Sequence, residues 1–344
     1  MSEVSKRKSG SKGNGVRHLT LHDVAHESGF SVSTVSKAIN GKFDVSASTK
    51  KRIFRVAEEM GYEANYYAKN LAKGTSETIG LLTDDLVGRF SIPILTGVEN
   101  AFGSEKIAVF LCDARGDSIR EAFHLRSLLS RRVDGIIVLA STSNPRKSLG
   151  TDLPVPIIYV YGHSEDPNDL SIITDDFKSA QLGIEHLVSL GRRRIAYITG
   201  DRSYDATQLR LNGIRAQLAL NNLTLTGEPL FGDWSESWGR SGVDALIENG
   251  IQFDGIFCGN DQIARGSIER LRERGYSVPQ QVSVLGFDNW DVVTIGCNPM
   301  ITSIDLQLEE LGGIAAQHLA DMIAGKSIVG IKKYPGKLIL REST

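Results

Sequence analysis

Two histidines four residues apart, His22 and His26, and two adjacent carboxylate pairs, Asp84-Asp85 and Asp175-Asp176, are the residues of this 344-residue chain whose types and spacing first suggest chemistry. Histidines at i and i+4 share one helix face and can take a metal ion. No third ligand follows at a suitable spacing, so both are expected on a solvent face. Adjacent aspartates at a strand end point to opposite sides, which separates the carboxyls that a general acid–base pair would need together. The three cysteines, Cys112, Cys258 and Cys297, lie far apart in or near apolar runs. They show no metal-ligand or redox spacing and read as buried thiols in a reducing cytoplasm. No nucleophile has an ordered base, and no Gly-rich phosphate loop follows the first apolar run. The residues predict neither an enzyme nor a cofactor.

A different chemistry marks the N-terminal region. Residues 1–73 hold 13 Lys and Arg against 7 Asp and Glu, and the remainder holds 26 against 34. The net charge of −2 therefore hides a basic head on an acidic body, and such a head suits a polyanion. Within "LTLHDVAHESGFSVSTVSKAING" (Leu19–Gly41), Thr20 can cap a helix with Leu21, Val24 and Ala25 inward, and Gly29 can end it. Ser31 can cap a second helix that turns Val35, Ala38 and Ile39 inward. Its outward face then carries Val32, Ser33, Ser36 and Lys37, which can meet base edges in a major groove. A third helix from Ser46 buries Ile53, Val56, Ala57 and Met60, leaving Lys50, Lys51, Arg52 and Arg55 for phosphates. This is a helix-turn-helix pattern, with a small helical oligomerisation module as the alternative.

The elements that must position the rest come later in the chain. "MSEVSKRKSGSKGNGVRH" is a Ser/Gly/Lys-rich arm expected to be disordered. Apolar runs at 78–83, 107–112, 135–140, 156–161, 195–199, 255–259 and 282–287 read as buried parallel strands. Helical patterns at 118–131, 179–190, 206–220, 235–249 and 262–274 alternate with them. That order predicts a doubly wound α/β fold, and seven strands fit two sheets better than one. Ligands of such folds sit at the carboxyl ends of strands, here in a cleft between two sheets. The N-terminus lacks the apolar core of a signal peptide and no run approaches a membrane span, so a cytoplasmic protein with no membrane partner is expected.

The stretch "TLHDVAHESGFSVSTVSKAINGKFDVSASTKKRIFRVAEEMGYEANYYAKNLAKG" resembles the headpiece of LacI/GalR-family bacterial transcription regulators. The resemblance continues through "TIGLLTDD", "GIEHLVSLGRRRIAYITG", "LRLNGI", "FCGNDQIARG", "VSVLGFD" and "ITSIDLQLEELG", and covers residues 20 to 344. It implies a basic arm at 1–18, a helix-turn-helix DNA-binding domain at 19–64, and a hinge helix and linker at 65–75. An effector-binding and dimerisation body of two α/β subdomains, like those of periplasmic binding proteins, follows at 76–344. The chain would cross between the subdomains near 163–176 and 302–306.

The same resemblance implies roles for individual residues. Val32, Ser33 and Lys37 would read bases, with Leu21, Ser31, Thr34, Ser36, Thr49, Tyr62 and Asn65 completing the DNA contacts, largely to phosphates that position without specifying. Leu71, spaced from Tyr62 through Asn65 and Ala68, would wedge into the minor groove at the central step. Ala64 replaces the usual proline before the hinge. Asp84, Phe90, Tyr161, Arg210, Trp234, Asn260 and Asp288 are the effector candidates, with Tyr161 where lactose-type members have aspartate. These types suit a neutral, polyhydroxylated ligand whose hydroxyls bond the polar groups and whose apolar face meets a ring. Asn260 is the better ligand candidate, and Asp261 can cap the following helix.

The implied protein is a homodimeric repressor of palindromic operator DNA, released by a sugar, without the tetramer-forming tail of the lactose repressor. A purine-type or sugar-phosphate-responsive repressor, in which ligand strengthens DNA binding, is the alternative. A solute-binding receptor is the distant one.

Overall fold

The computed structural model describes residues 19–39, 44–62, 75–86, 89–103, 107–150 and 152–344. The chain divides into two compact units, Met1–Gly74 and Thr75–Thr344. Asn65, Ala68 and Leu71, together with Ala64, fall outside the described residues.

In the first unit, α1 (Leu21–Ser28) begins with a capping box: Asp23 N donates to Thr20 Oγ1 and Thr20 N donates to Asp23 Oδ2 at 2.7 Å. This satisfies N–H groups that have no helical partner. Gly29 closes the helix at φ +73°, a conformation that costs glycine little. Ser31 opens α2 (Val32–Ile39) by accepting from Thr34 N at 3.1 Å. Ser46 does the same for α3 (Ala47–Met60) through Thr49 N at 3.2 Å. Val24, Val35, Ala38 and Ile53 are fully buried between the three helices.

The body contains two six-stranded sheets. The first, all parallel, has the order β13 (Gly330–Tyr334), β7 (Leu170–Thr174), β5 (Ile157–Val160), β3 (Gly135–Leu139), β1 (Thr78–Thr83), β2 (Ala108–Asp113). The second has the order β14 (Lys337–Ile339), β12 (Thr302–Asp305), β11 (Ser283–Asp288), β10 (Gly255–Cys258), β8 (Ile195–Thr199), β9 (Leu230–Phe231), with β14 antiparallel to β12. A two-stranded ribbon pairs β4 (Pro145–Arg146) with β6 (His163–Ser164).

The helices α4 (Ser91–Phe102), α5 (Ser118–Ser130) and α11 (Leu308–Ile323) pack on the first sheet. Those on the second are α6 (Asp176–Ser189), α7 (Asp205–Leu220), α8 (Glu236–Glu248), α9 (Asp261–Glu273) and the short α10 (Asp291–Thr294).

Strand order sends the chain between the subdomains three times, at 174–176, 305–308 and 334–337. The passage between β13 and β14 has no counterpart in the sequence reading. The first two lie at the ends of the stretches read there, because β6 and β7 still belong to the first subdomain. A close helix pair binds the returning α11 to α4. A Cβ on Gly97 would lie 1.8 Å from the Glu309 carbonyl oxygen, and one on Gly312 would lie 2.2 Å from that of Ile94. Among the described residues no helix is long and apolar enough to cross a membrane.

Candidate functional site

The carboxyl ends of β1, β3 and β5 face those of β8, β10 and β11 across the boundary between subdomains, and the loops leaving these strands carry the polar groups. Arg210, on α7, is 2% exposed. Its Nε donates to Asp176 Oδ1 at 2.6 Å, its Nη1 to the Gly259 carbonyl at 2.6 Å, and its Nη2 lies 3.8 Å from Asp288 Oδ1. The guanidinium sits 3.7 Å over the Phe287 ring and 6.0 Å from that of Trp234. A desolvated arginine is tolerable only with such pairing.

Asp288 ends β11 at φ +96° and Tyr161 directly follows β5 at φ +70°. Both are non-glycine residues in a backbone region usually avoided, and strain of this kind collects at ligand sites. Tyr161 stacks on Phe90 with ring centres 4.3 Å apart, and burial pushes its phenol up. Trp234 precedes α8 and lies directly above Gly200, where any Cβ would meet the indole at 2.1 Å. Its Nε1 is buried without a partner, and Tyr204 flanks the ring at 5.9 Å. Trp238, one turn on, donates to the Thr199 carbonyl at 2.8 Å and packs into the second subdomain's core.

Asn260 caps α9 by accepting from Ile263 N at 2.8 Å, while its Nδ2 stays buried and unpartnered. The cap is thus Asn260 and not Asp261, which is already helical. Asp261 instead accepts from Trp290 N at 2.7 Å and Ser303 Oγ at 2.6 Å, tying the ends of β11 and β12 together. Burial, reinforced by the nearby Asp288 charge, raises its carboxyl to about 8. Asp84 accepts from Ser141 Oγ at 3.1 Å through Oδ2, Oδ1 is buried without a partner, and burial raises this carboxyl too.

The adjacent aspartates Asp175 and Asp176 have different partners. Asp175 caps α6 through Lys178 N at 3.1 Å, while Asp176 turns inward to Arg210. The two subdomains also touch at α7, which has no side-chain cap of its own. Ser143 Oγ and Asn144 Oδ1, from the first subdomain, accept from Ala206 N at 3.0 Å and Asp205 N at 2.9 Å. One subdomain therefore caps a helix of the other.

A cavity of about 400 Å³ opens between the subdomains, lined on the first by Arg89, Phe90 and Pro93 and on the second by Asp288, Asn289 and Trp290, with residues of the β12–α11 passage. Ligand pockets start near ~300 Å³. Of the seven expected effector residues, Phe90 and Asp288 line it, and Asp84, Tyr161, Arg210, Trp234 and Asn260 are not among its lining residues. Arg89, Asp176, Tyr204 and Trp290 were not among the expected effector residues. Each acts through a partner far off in sequence, so no local spacing marks it.

In the head, Ser33 and Lys37 are exposed on α2, and Thr34 and Ser36 are half-buried. Val32 shares its surface between solvent and the head core, as do Leu21 and Tyr62, so Val32 is less outward than the helical pattern implies. Ser31 and Thr34 hydroxyls lie 2.8 Å apart, and Thr49 Oγ1 lies 2.9 Å from Ser46 Oγ. Lys37 Nζ is 2.6 Å from Asp44 Oδ2, an exposed pair. Arg52 lies over the Phe30 ring at 5.6 Å.

Residues 20–65 match the family model for bacterial regulatory proteins of the lacI family, and residues 184–344 match that for a periplasmic binding protein-like domain. The chain is 28% identical to the HTH-type transcriptional repressor PurR of Aliivibrio salmonicida, over 89% of this chain and 93% of that one. It is also 28% identical to the ribose operon repressor of Escherichia coli, over 88% and 93%. A crystal structure of the lac repressor dimer bound to operator and the anti-inducer ONPF superposes with a TM-score of 0.78 at 27% identity, covering 95% of this chain and 99% of that one.

Proposed function

The chain belongs to the lacI family of bacterial regulatory proteins, and from that premise we propose a homodimeric transcriptional repressor whose hold on a palindromic operator is released by a neutral sugar in the cleft. The head supports the DNA half of this reading. A short capped helix presents Ser33 and Lys37 to solvent, beside hydroxyls that can reach phosphates.

The cleft's unmatched polar atoms carry the sugar half. Trp234 Nε1 and Asn260 Nδ2 are donors without acceptors, and Asp84 Oδ1 is an acceptor without a donor. Buried groups left in this condition cost free energy until something supplies the partner. A hydroxyl both donates and accepts, so the hydroxyls of a polyol can match either kind of group, and an aromatic ring can cover its apolar face.

The three chain passages form the hinge about which the subdomains turn. Sugar binding would favour one arrangement, and a differential affinity of ~1–3 kcal/mol between arrangements is enough to couple the cleft to DNA. Calorimetric titration of the protein with neutral mono- and disaccharides tests the reading, with saturable binding that Trp234→Ala abolishes as the expected result. A second reading, a ligand bearing an anionic group that strengthens DNA binding, is favoured by the presence of both Arg89 and Arg210 at the cleft. Sugar phosphates binding where neutral sugars do not would select it.

A further inference from the structure

Arg89 belongs to the loop between β1 and α4, on the first subdomain, yet its Nη2 lies 2.8 Å from Asp288 Oδ2 on the second. The arginine side chain is 15% exposed and the carboxylate 3%, so the pair is largely shielded from water and weakly screened by salt. The same guanidinium lies 5.1 Å from the Phe90 ring centre on its own side and 5.8 Å from the Trp290 ring centre across the cleft. One cation thus takes a carboxylate and a ring from the second subdomain and a ring from the first.

This position conflicts with sugar binding. Asp288 is also the carboxylate that Arg210 approaches, and neither of its oxygens has a well-aligned hydrogen bond. The contact with Arg89 is therefore electrostatic rather than directional, and hydroxyls with good geometry can replace it. The guanidinium also lies against the ring faces of the cavity, where the apolar side of a sugar would stack.

We propose that Arg89 is a built-in competitor for the effector, clasping Asp288 across the cleft until sugar hydroxyls take its place. The proposal rests on the reading of the cleft as a sugar site. It makes Arg89 a determinant of effector affinity: removing it frees Asp288 for the sugar and loosens the subdomains when sugar is absent.

Hydrogen exchange followed by mass spectrometry on the full chain, without added sugar, tests the clasp. Arg89→Ala is expected to speed exchange several-fold in peptides spanning 90–94 and 287–294, with head peptides unchanged, and Arg89→Lys to recover part of the protection. Exchange in Arg89→Ala equal to wild type would overturn the clasp. If Arg89→Ala loosens the whole body, Arg89→Lys decides: recovery at both peptides upholds the clasp and no recovery overturns it.

Titration with the neutral mono- and disaccharide panel tests the competition. Arg89→Ala is expected to bind the sugar that wild type binds several-fold more tightly, whereas weaker binding would make Arg89 a ligand contact and end the competitor role. A chain that shows the clasp but binds no sugar of the panel keeps the clasp and refutes the sugar reading, so the two failures are distinguishable.

Discussion

Asp176 accepts from Arg210 Nε at 2.6 Å, and the two side chains are 2% and 3% exposed. The aspartate is the first residue of α6, immediately after the chain enters the second subdomain. A guanidinium anchored there has its remaining nitrogens directed to Gly259 and toward Asp288, so its position between the two carboxylates is set by the fold.

Breaking such a pair leaves a charge buried alone, which typically costs about 3–5 kcal/mol. Arg210→Ala should therefore lower the denaturation midpoint of the body clearly. Where it remains folded, it should bind operator yet ignore effector. Chemical denaturation read with operator binding checks this, and normal effector release by a folded variant would remove Arg210 from the cleft's function.

Asp261 supplies a pH test. Its folded carboxyl is raised to about 8 by burial and the Asp288 charge, far above the unfolded range near ~3.9. Stability held by the protonated form is complete below the unfolded value and is lost as pH rises through the folded one. The wild-type melting temperature should fall between pH 5 and pH 9 more steeply than that of Asp261→Asn, which mimics the protonated state. Parallel curves for the two proteins would contradict the assignment.

The pair Lys37–Asp44, at 2.6 Å, ties a lysine of α2 that is proposed to contact DNA to a carboxylate. Asp44→Asn should free the ammonium, tighten operator binding a few-fold, and steepen the plot of log K against log salt by about 0.9 if one more phosphate is engaged. Filter-binding titrations over a salt series measure both. Unchanged affinity and slope would show that Asp44 does not restrain Lys37.

Gly97→Ala places a methyl group 1.8 Å from the Glu309 carbonyl, where only a backbone shift can relieve it. Overpacking of this kind costs about 1–3 kcal/mol, and the body should lose stability accordingly in urea denaturation. Wild-type stability would mean that α4 and α11 separate freely.

The parts of this architecture visible in the sequence are those set by local pattern. "TIGLLT" and "IAYIT" are predominantly apolar, and the strands Thr78–Thr83 and Ile195–Thr199 coincide with them to the residue. Edge strand β13, "GIKKY", alternates half-buried and exposed positions and carries two lysines, so its composition gives no apolar run to read. Helix α4 has Pro93 in its first turn and Gly97 at its contact face, and α11 carries Gly312 and Gly313, which weakens both helical patterns although packing stabilises them. Arg210, Trp234 and Asp288 are marked in the sequence by the family resemblance, not by residue type or spacing. Arg89 was silent because its partner lies on the other sheet, and the Asn260 cap became clear only from the register of α9.

In the proposed function, occupation of the cleft controls the hold on DNA. Fluorescence anisotropy of a labelled duplex from the gene's own upstream region, at fixed salt, tests it most directly, with neutral sugars, sugar phosphates and purines added in turn. One neutral sugar is expected to release the duplex, and Trp234→Ala, still bound to DNA, is expected no longer to respond to it. Operator binding that no neutral sugar weakens, or that a purine or sugar phosphate tightens instead, would contradict it.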